Sequence, residues 1–363
     1  MGLFGYTFIP GREFDIVQHY ALFESFLNTS FSEFLVLLTY NNQPDFILYT
    51  LYWIVGKVID NSQIVGFIGA FSFYYLFVLI IDNIFKNYLP GKRNFRSYML
   101  LFFMFMACTV PYIFSGMRNG NAVMLFIFLL TNKDGKRPYV KDILILLLPG
   151  LVHFSLFPIS IVYLLSKYLN KRIYFIFCSV LILLTPFTLS ILTYLHDVFK
   201  TMGGIGNFFA SKIESYVFLD KNFGMYFGAG FRYYLVELPL FFLTPLLWKY
   251  ADREKRTSKS EEVLHKFVLA FFAYSLCTIQ TFLFARNHMV FAYIYMSYWL
   301  ILYFSKGVDL SVKQGILLFS GFIIISIIPS WIMGQEYVVI NSKLFYSSLY
   351  ELLNTKVTEN QYW

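Results

Sequence analysis

Apolar residues in this chain come in long unbroken runs instead of alternating with polar ones. IVGFIGAFSFYYLFVLII (64–81) and DILILLLPGLVHFSLFPISIVYLL (142–165) are examples, and short stretches rich in Lys and Arg separate them. A run of about 20 apolar residues crosses a bilayer as a helix, whereas a membrane β-barrel shows short alternating segments. The pattern predicts an all-α, polytopic integral membrane protein. It gives about 9–11 membrane helices, some of them short re-entrant or half-helices, in a single membrane-embedded domain over residues 1–363. Composition agrees, with 58% hydrophobic and only 14% charged residues and a mean hydropathy of +0.60. That leaves too little polar surface to cover a soluble core.

Charge supplies orientation. The basic residues cluster at 86–96, 132–141, 166–172 and 249–266, and basic loops next to spans favour the cytoplasmic side. The formal net charge of +8 is therefore mostly topology, which removes the main support for a nucleic-acid partner. Cys108, Cys178 and Cys277 sit in apolar runs without CxxC spacing and read as small buried hydrophobes. The first residues lack the basic and apolar regions of a cleavable signal peptide.

Fixing the basic loops inside constrains what lies between them. Residues 62–82 descend to the inner loop at 86–96. Residues 97–130 must then leave and return within 34 residues, short of the roughly 40 that two full spans need. The turn around Gly116 to Asn121 is therefore expected to be sunk below the outer surface. Residues 142–165 are also too short to cross twice. Two half-helices meeting at Pro149-Gly150 would leave His153 near mid-depth; one span with a flipped loop is the alternative. Residues 172–195 go out, 196–230 form the longest outer segment, 231–248 return, 267–284 and 289–304 form a pair around ARNH, and 314–333 go out again. Residues 11–60 mix charge and aromatics and read as an outer-face amphipathic region.

Candidate chemistry follows from charges in apolar surroundings. Arg118 is the only charged residue from Ser97 to Leu130, and Arg286 the only one between Lys266 and Lys306. Both precede an asparagine, both fall at an expected outer turn, and intramembrane charges default to function. A guanidinium fork binds phosphate oxygens in pairs, so a lipid-linked diphosphate is the expected ligand. Snorkelling to ordinary lipid phosphates is the bland alternative. His153 in PGLVHFSLF reads as a packing hydrogen bond, a sugar partner or a general base. Asp15 in GREFD and Asp45 in NQPDF are outer-face carboxylates that approach the site if their loop folds inward. Arg232 pairs with Glu237 or faces the same cavity as a third cation. His19, His196 and His265 are expected in loops with no role, and 249–266 as a solvated inner loop. No metal-ligand cluster or cofactor motif is visible.

The order of these motifs resembles a known family. GREFDIVQHYALF supplies a GxxxD loop, and PDFILYTLYWIVGKVIDN an aspartate-led amphipathic stretch. MRNGNAVMLFIFLL supplies an Arg opening an apolar helix, LVHFSLFPISIVYLL a central His-x-Ser, and ARNHMVFAYIYM a late Arg. Over roughly residues 10–305 this looks like the EpsG-type branch of the bacterial Wzy polysaccharide polymerases. Two features depart from the family pattern: only MGLFGYTFIP precedes the GxxxD loop, and Arg-Asn replaces Arg-Gln.

The resemblance implies a glycosyltransferase of GT-C-like plan in the bacterial inner (plasma) membrane, multi-pass, with its active site facing the periplasm. It would polymerise undecaprenyl-pyrophosphate-linked oligosaccharide repeats into O-antigen, capsule or exopolysaccharide. Asp15 and His153 are the expected catalytic residues. Arg118, Asn119, Arg232, Arg286 and His288 are expected to hold diphosphate and sugar. The expected partners are the lipid-linked oligosaccharide, membrane lipids, a chain-length regulator and a flippase, with no nucleic acid, metal or cofactor. An O-antigen ligase and a lipid-linked oligosaccharide flippase are the alternatives.

Overall fold

The computed structural model describes residues 1–10, 15–40, 45–87, 117–132, 138–203, 205–214, 259–281, 284, 287, 339–340 and 346–354. These are predominantly helical, as the uninterrupted apolar runs require. The chain forms two compact units. Described residues of Met1–Gly91, Cys108–Phe157 and Ile327–Trp363 make the first, and those of Pro158–Ser326 belong to the second.

The first unit opens with α1 (Gly2–Tyr6), α2 (Asp15–Phe26), α3 (Phe31–Tyr40) and α4 (Phe46–Gly56). Helices of 12, 10 and 11 residues are each too short to span a bilayer. Local chemistry starts α3: Ser30 and Glu33 form a reciprocal cap, with the Ser30 amide donating to Glu33 Oε2 at 2.7 Å and the Glu33 amide to Ser30 Oγ at 3.3 Å. Aromatic packing then holds α2, α3 and α4 together. Phe34 meets Phe26 edge-on at 5.2 Å and stacks on Trp53 at 5.4 Å. Trp53 Nε1 donates to the Thr29 carbonyl at 3.2 Å, while Lys57 lies over its ring.

The long helix α5 (Ile64–Asn87) receives α1 on one side and α6 (Met117–Thr131) on another. Small residues permit both contacts. A Cβ on Gly66 would stand 2.3 Å from the Gly5 carbonyl oxygen, so α1 and α5 touch backbone to backbone. At the second contact Asn121 donates Nδ2 to the Gly69 carbonyl at 3.1 Å and accepts from Ser72 Oγ at 2.6 Å. Small residues plus interhelical polar bonds are the means by which membrane helices associate where burial of apolar surface drives nothing. A two-residue antiparallel pairing of Phe8–Ile9 with Val339–Ile340 ties a distant segment to this unit.

Three sequence expectations change here. The segment expected to turn around Gly116 to Asn121 is helical from Met117 onward, so Asn119, Gly120 and Asn121 lie in α6. The apolar segment 142–165 does break into two helices, but not at Pro149-Gly150. Helix α7 (Pro138–Val152) runs through Pro149, and α8 (Leu156–Tyr168) begins after His153–Ser155. The ring of Phe157 packs where a Gly150 side chain would stand, so the glycine serves packing and not the turn. His19, His196 and His265, expected in loops, are all helical. Helical periodicity carries each onto a face the local polar sequence conceals.

The second unit contains α9 (Lys171–Leu184), a 3₁₀ turn at Thr185–Phe187 and α10 (Thr188–Met202). Asn170 caps α9 by accepting from the Ile173 amide at 3.0 Å. Pro186 interrupts the helical path without ending it, so helix continues past residue 195, where the charge pattern placed an outer segment. Gly203, at φ 64°, terminates α10, and α11 (Ile205–Ile213) follows. Helix α12 (Lys259–Cys277) starts inside the expected inner loop, and Glu261 and His265 there are buried, not solvated. Tyr174 ties α9 to α12 by donating to the Lys266 carbonyl at 2.6 Å. Cys178 and Cys277 are free thiols.

Among the described residues, two helical stretches are long and apolar enough to cross a membrane, Ile64–Asn87 and Lys171–Met202. With the shorter apolar helices Phe46–Gly56, Met117–Thr131 and Leu156–Tyr168, they agree with a helical membrane protein by length and composition.

Candidate functional site

The site begins with an anomaly at Asp45. This residue occupies the N-cap of α4, where an aspartate ordinarily accepts from the first free amides of its own helix. Its side chain makes no such bond. The carboxylate points instead across the first unit to Arg118 and His153. Oδ2 accepts from Arg118 Nη1 at 2.9 Å, and Oδ1 lies 3.6 Å from His153 Nδ1. Asp45 is 2% exposed. Abandoning a cap costs about 1 kcal/mol, so the cross-helix pairing outweighs it.

Each partner arrives from a different element. Arg118 is the second residue of α6, whose first turn packs under α5. Its Nη1 also donates to the Tyr49 hydroxyl at 3.1 Å. Tyr49 follows Asp45 by four residues and so shares its helical face. His153 is the first residue beyond α7, at the break that precedes α8. His19, on α2, completes the group: its ring lies 6.4 Å from that of Tyr49 and 5.9 Å from that of Tyr52. Tyr52 is sealed in the core and donates its hydroxyl to Met117 Sδ at 3.1 Å. Behind Arg118, Asn119 accepts from Ser155 Oγ at 3.3 Å, joining α6 to the same break.

Electrostatics makes this a balanced but loaded cluster. Burial pushes the Asp45 carboxyl up, yet His153 and Arg118 outweigh burial and hold it below the usual carboxylate range, so it is ionised. His19 is driven the other way. Burial and then the Arg118 charge lower it to about 3, leaving a neutral imidazole in the group. Arg118 keeps 24% of its side chain exposed against 2% for Asp45. One nitrogen, Nη1, is committed to both Asp45 and Tyr49. Such an arrangement offers a fixed cation, a buried carboxylate and an imidazole within reach of one another. It can hold an anion, orient a histidine and accept a proton.

Of the residues singled out from sequence, the structure brings together Asp45, Arg118, Asn119 and His153. Asp15, at the start of α2, is half-buried and close enough for its charge to act on Arg118 and Tyr49, though it does not join the hydrogen-bonded group. Arg232, Arg286 and His288 lie outside the described residues. Asn287, beside Arg286, is buried and donates Nδ2 to Ser275 Oγ at 3.2 Å, folding that turn back onto α12. Sequence reasoning assigned nothing to His19, Tyr49 or Ser155. The i, i+4 spacings Asp15–His19 and Asp45–Tyr49 were the available signal.

A buried ion pair flanked by histidines and tyrosines makes a polar cluster in the first unit, and buried charges among apolar helices are candidate functional sites. The EpsG family profile matches residues 3–347, nearly the whole chain, and the chain belongs to the EpsG family. Membership gives it a role of the polysaccharide-polymerase type, that of a glycosyltransferase-like polymerase. No curated protein matches it, and no solved structure does.

Proposed function

We propose that this protein joins oligosaccharide repeat units, carried on undecaprenyl diphosphate, into a long glycan on the outer face of the bacterial inner membrane. The remaining spans of a polytopic, GT-C-like plan belong to the same proposal. The growing glycan is the donor and the new lipid-linked repeat the acceptor. An acceptor hydroxyl oxygen forms the bond to the donor's anomeric carbon. The bond from that carbon to the diphosphate oxygen breaks, and its electron pair leaves with the diphosphate. The hydroxyl proton passes to a base.

The observation carrying this assignment is the cap that does not cap: Asp45 turned onto both Arg118 and His153. Facing Asp45 through Nδ1, His153 presents Nε2 as the base, and the carboxylate steadies the imidazolium that forms. Asp45 thus takes the part of the acidic residue in the base pair, with Asp15 a second negative charge nearby. The partly exposed guanidinium of Arg118 holds the leaving diphosphate and offsets its growing charge. Arg286, Arg232 and His288 are the further candidates for that anion. Partnership with a flippase and a chain-length regulator is part of the same proposal.

Arg118→Ala and His153→Ala, expressed at normal level in the native host, should give single repeats where the wild type gives a glycan ladder. Loss of a charge clamp of this kind is worth about 3 kcal/mol, or roughly a hundredfold in rate. A wild-type ladder from either variant removes that residue from the mechanism.

A further inference from the structure

We propose that Asn119, Ser155 and the break between α7 and α8 form the subsite for a hydroxyl or acetamido group on the acceptor sugar, separate from the anion-binding guanidinium of Arg118. This rests on the polymerase assignment above. Irregular backbone in a membrane protein is stable only where protein covers it or where it lines a polar cavity. Here the break at His153–Ser155 is covered by the first turn of α6, through the Ser155–Asn119 contact.

That cover is incomplete in one respect. Asn119 is 1% exposed, and among the described residues its Nδ2 has no hydrogen-bond partner. Exchanging the amide's oxygen and nitrogen only moves the deficit to the other end. An unpaired buried amide is destabilising, and an apolar side chain of that shape would avoid the cost. A ligand atom that completes the amide explains its presence. The Ser155 contact, at 3.3 Å, is long for a hydroxyl donor, so a sugar oxygen displaces it cheaply.

The chemistry of the lining selects the ligand. Amide and hydroxyl carry no formal charge, so they suit a neutral sugar hydroxyl or acetamide, while the fixed cation of Arg118 suits the diphosphate. Successive residues on a helix point about 100° apart, and α6 uses that angle: Arg118 reaches α4, while Asn119 reaches the α7–α8 break. One turn of helix therefore divides anion from sugar. His153 stands between them, 3.6 Å from Asp45 and two residues before Ser155, where a bound acceptor hydroxyl would meet the base.

Two probes separate the subsites on full-length protein in detergent. One is the neutral repeat-unit oligosaccharide, released by mild acid from the host's own lipid-linked precursor; the other is inorganic pyrophosphate. Asn119→Ala should weaken oligosaccharide binding at least tenfold and leave pyrophosphate within twofold. Arg118→Ala should do the reverse, and Ser155→Ala should weaken the oligosaccharide about threefold. Oligosaccharide affinity within twofold of wild type in both the Asn119 and Ser155 variants overturns the subsite. So does equal loss of both probes in a folded Asn119→Ala protein. Should Asn119→Ala fail to fold, Ser155→Ala decides alone. Wild-type protein that binds oligosaccharide but not pyrophosphate sinks the anion assignment and leaves the subsite standing. The opposite pattern sinks the subsite, and binding of neither probe sinks both.

Discussion

Helix Ile64–Asn87 buries 44% of its most apolar stretch, whereas the helical run Lys171–Met202, similarly apolar and longer, buries 11%. Hydrophobicity does not separate them; the glycines that allow close helix approach do. The first carries Gly66, Gly69, Ala70 and Ser72 along its length, and these accept α1 by backbone contact and α6 by hydrogen bonds. The second has no glycine and presents Ile176, Leu183 and Tyr194 at 57, 70 and 69% exposure. Lipid tails solvate such a surface as well as another helix would, so only close packing or polar bonds can recruit a neighbour. The buried charge cluster lies in the unit built around the first helix. A rigid frame of close contacts is what a site held by single side chains needs.

The most damaging substitution should be Arg118→Met. It leaves the Asp45 carboxylate buried beside His153 with its main partner gone, which costs about 3–5 kcal/mol. Adding Asp45→Asn in the same chain should recover much of that loss in unfolding measured in detergent. If the double variant is as unstable as the single one, the ion pair is not what Arg118 contributes. Next comes Gly66→Val, whose side chain meets the Gly5 carbonyl and should cost roughly 1–3 kcal/mol by forcing α1 off α5. Asn121→Ala removes the bonds to Gly69 and Ser72 and should lower stability by about 1 kcal/mol.

Acid offers a graded probe of the cluster. Folded His19 stays neutral down to about 3, whereas an unfolded histidine takes a proton near 6.5. The unfolded state therefore binds more protons in that window, and stability falls as pH drops through it. Asp45, held low by its partners, adds the same sign at lower pH because protonation dissolves its pairing. The melting temperature in detergent should decline from pH 7 to pH 4, and His19→Phe should flatten the upper part of that decline. An unchanged profile would place His19 outside the coupled group. The smallest effect belongs to the other helix. Leu183→Ala should shift stability by no more than about 0.5 kcal/mol, and a larger loss would mean that Leu183 packs on protein.

Several features of this layout were legible in the sequence. Long apolar runs gave helices, and Arg118 and His153 stood out because charge and imidazole are rare in such runs. The resemblance in motif order led to the EpsG family, which the family profile bears out. Helix ends were less legible. Pro149-Gly150 looks like a break, yet α7 runs through it, and the His153 amide still donates to the Pro149 carbonyl at 2.8 Å. The charged stretch at 249–266 looked solvated, yet Glu261 and His265 are buried because every fourth residue of a helix returns to one face.

Sequence alone determined the class of the protein, since helix period and hydropathy are properties of neighbouring residues. It also determined which residues were costly enough to need a purpose. Which groups would meet was decided only by tertiary packing. On paper Asp15, the aspartate of the GxxxD motif, is the favoured carboxylate, but it is Asp45 that reaches Arg118, across 73 residues of chain. The choice follows from where α4 lies beside α6, fixed by aromatic packing and by the close approach of α5. No local pattern encodes that distance.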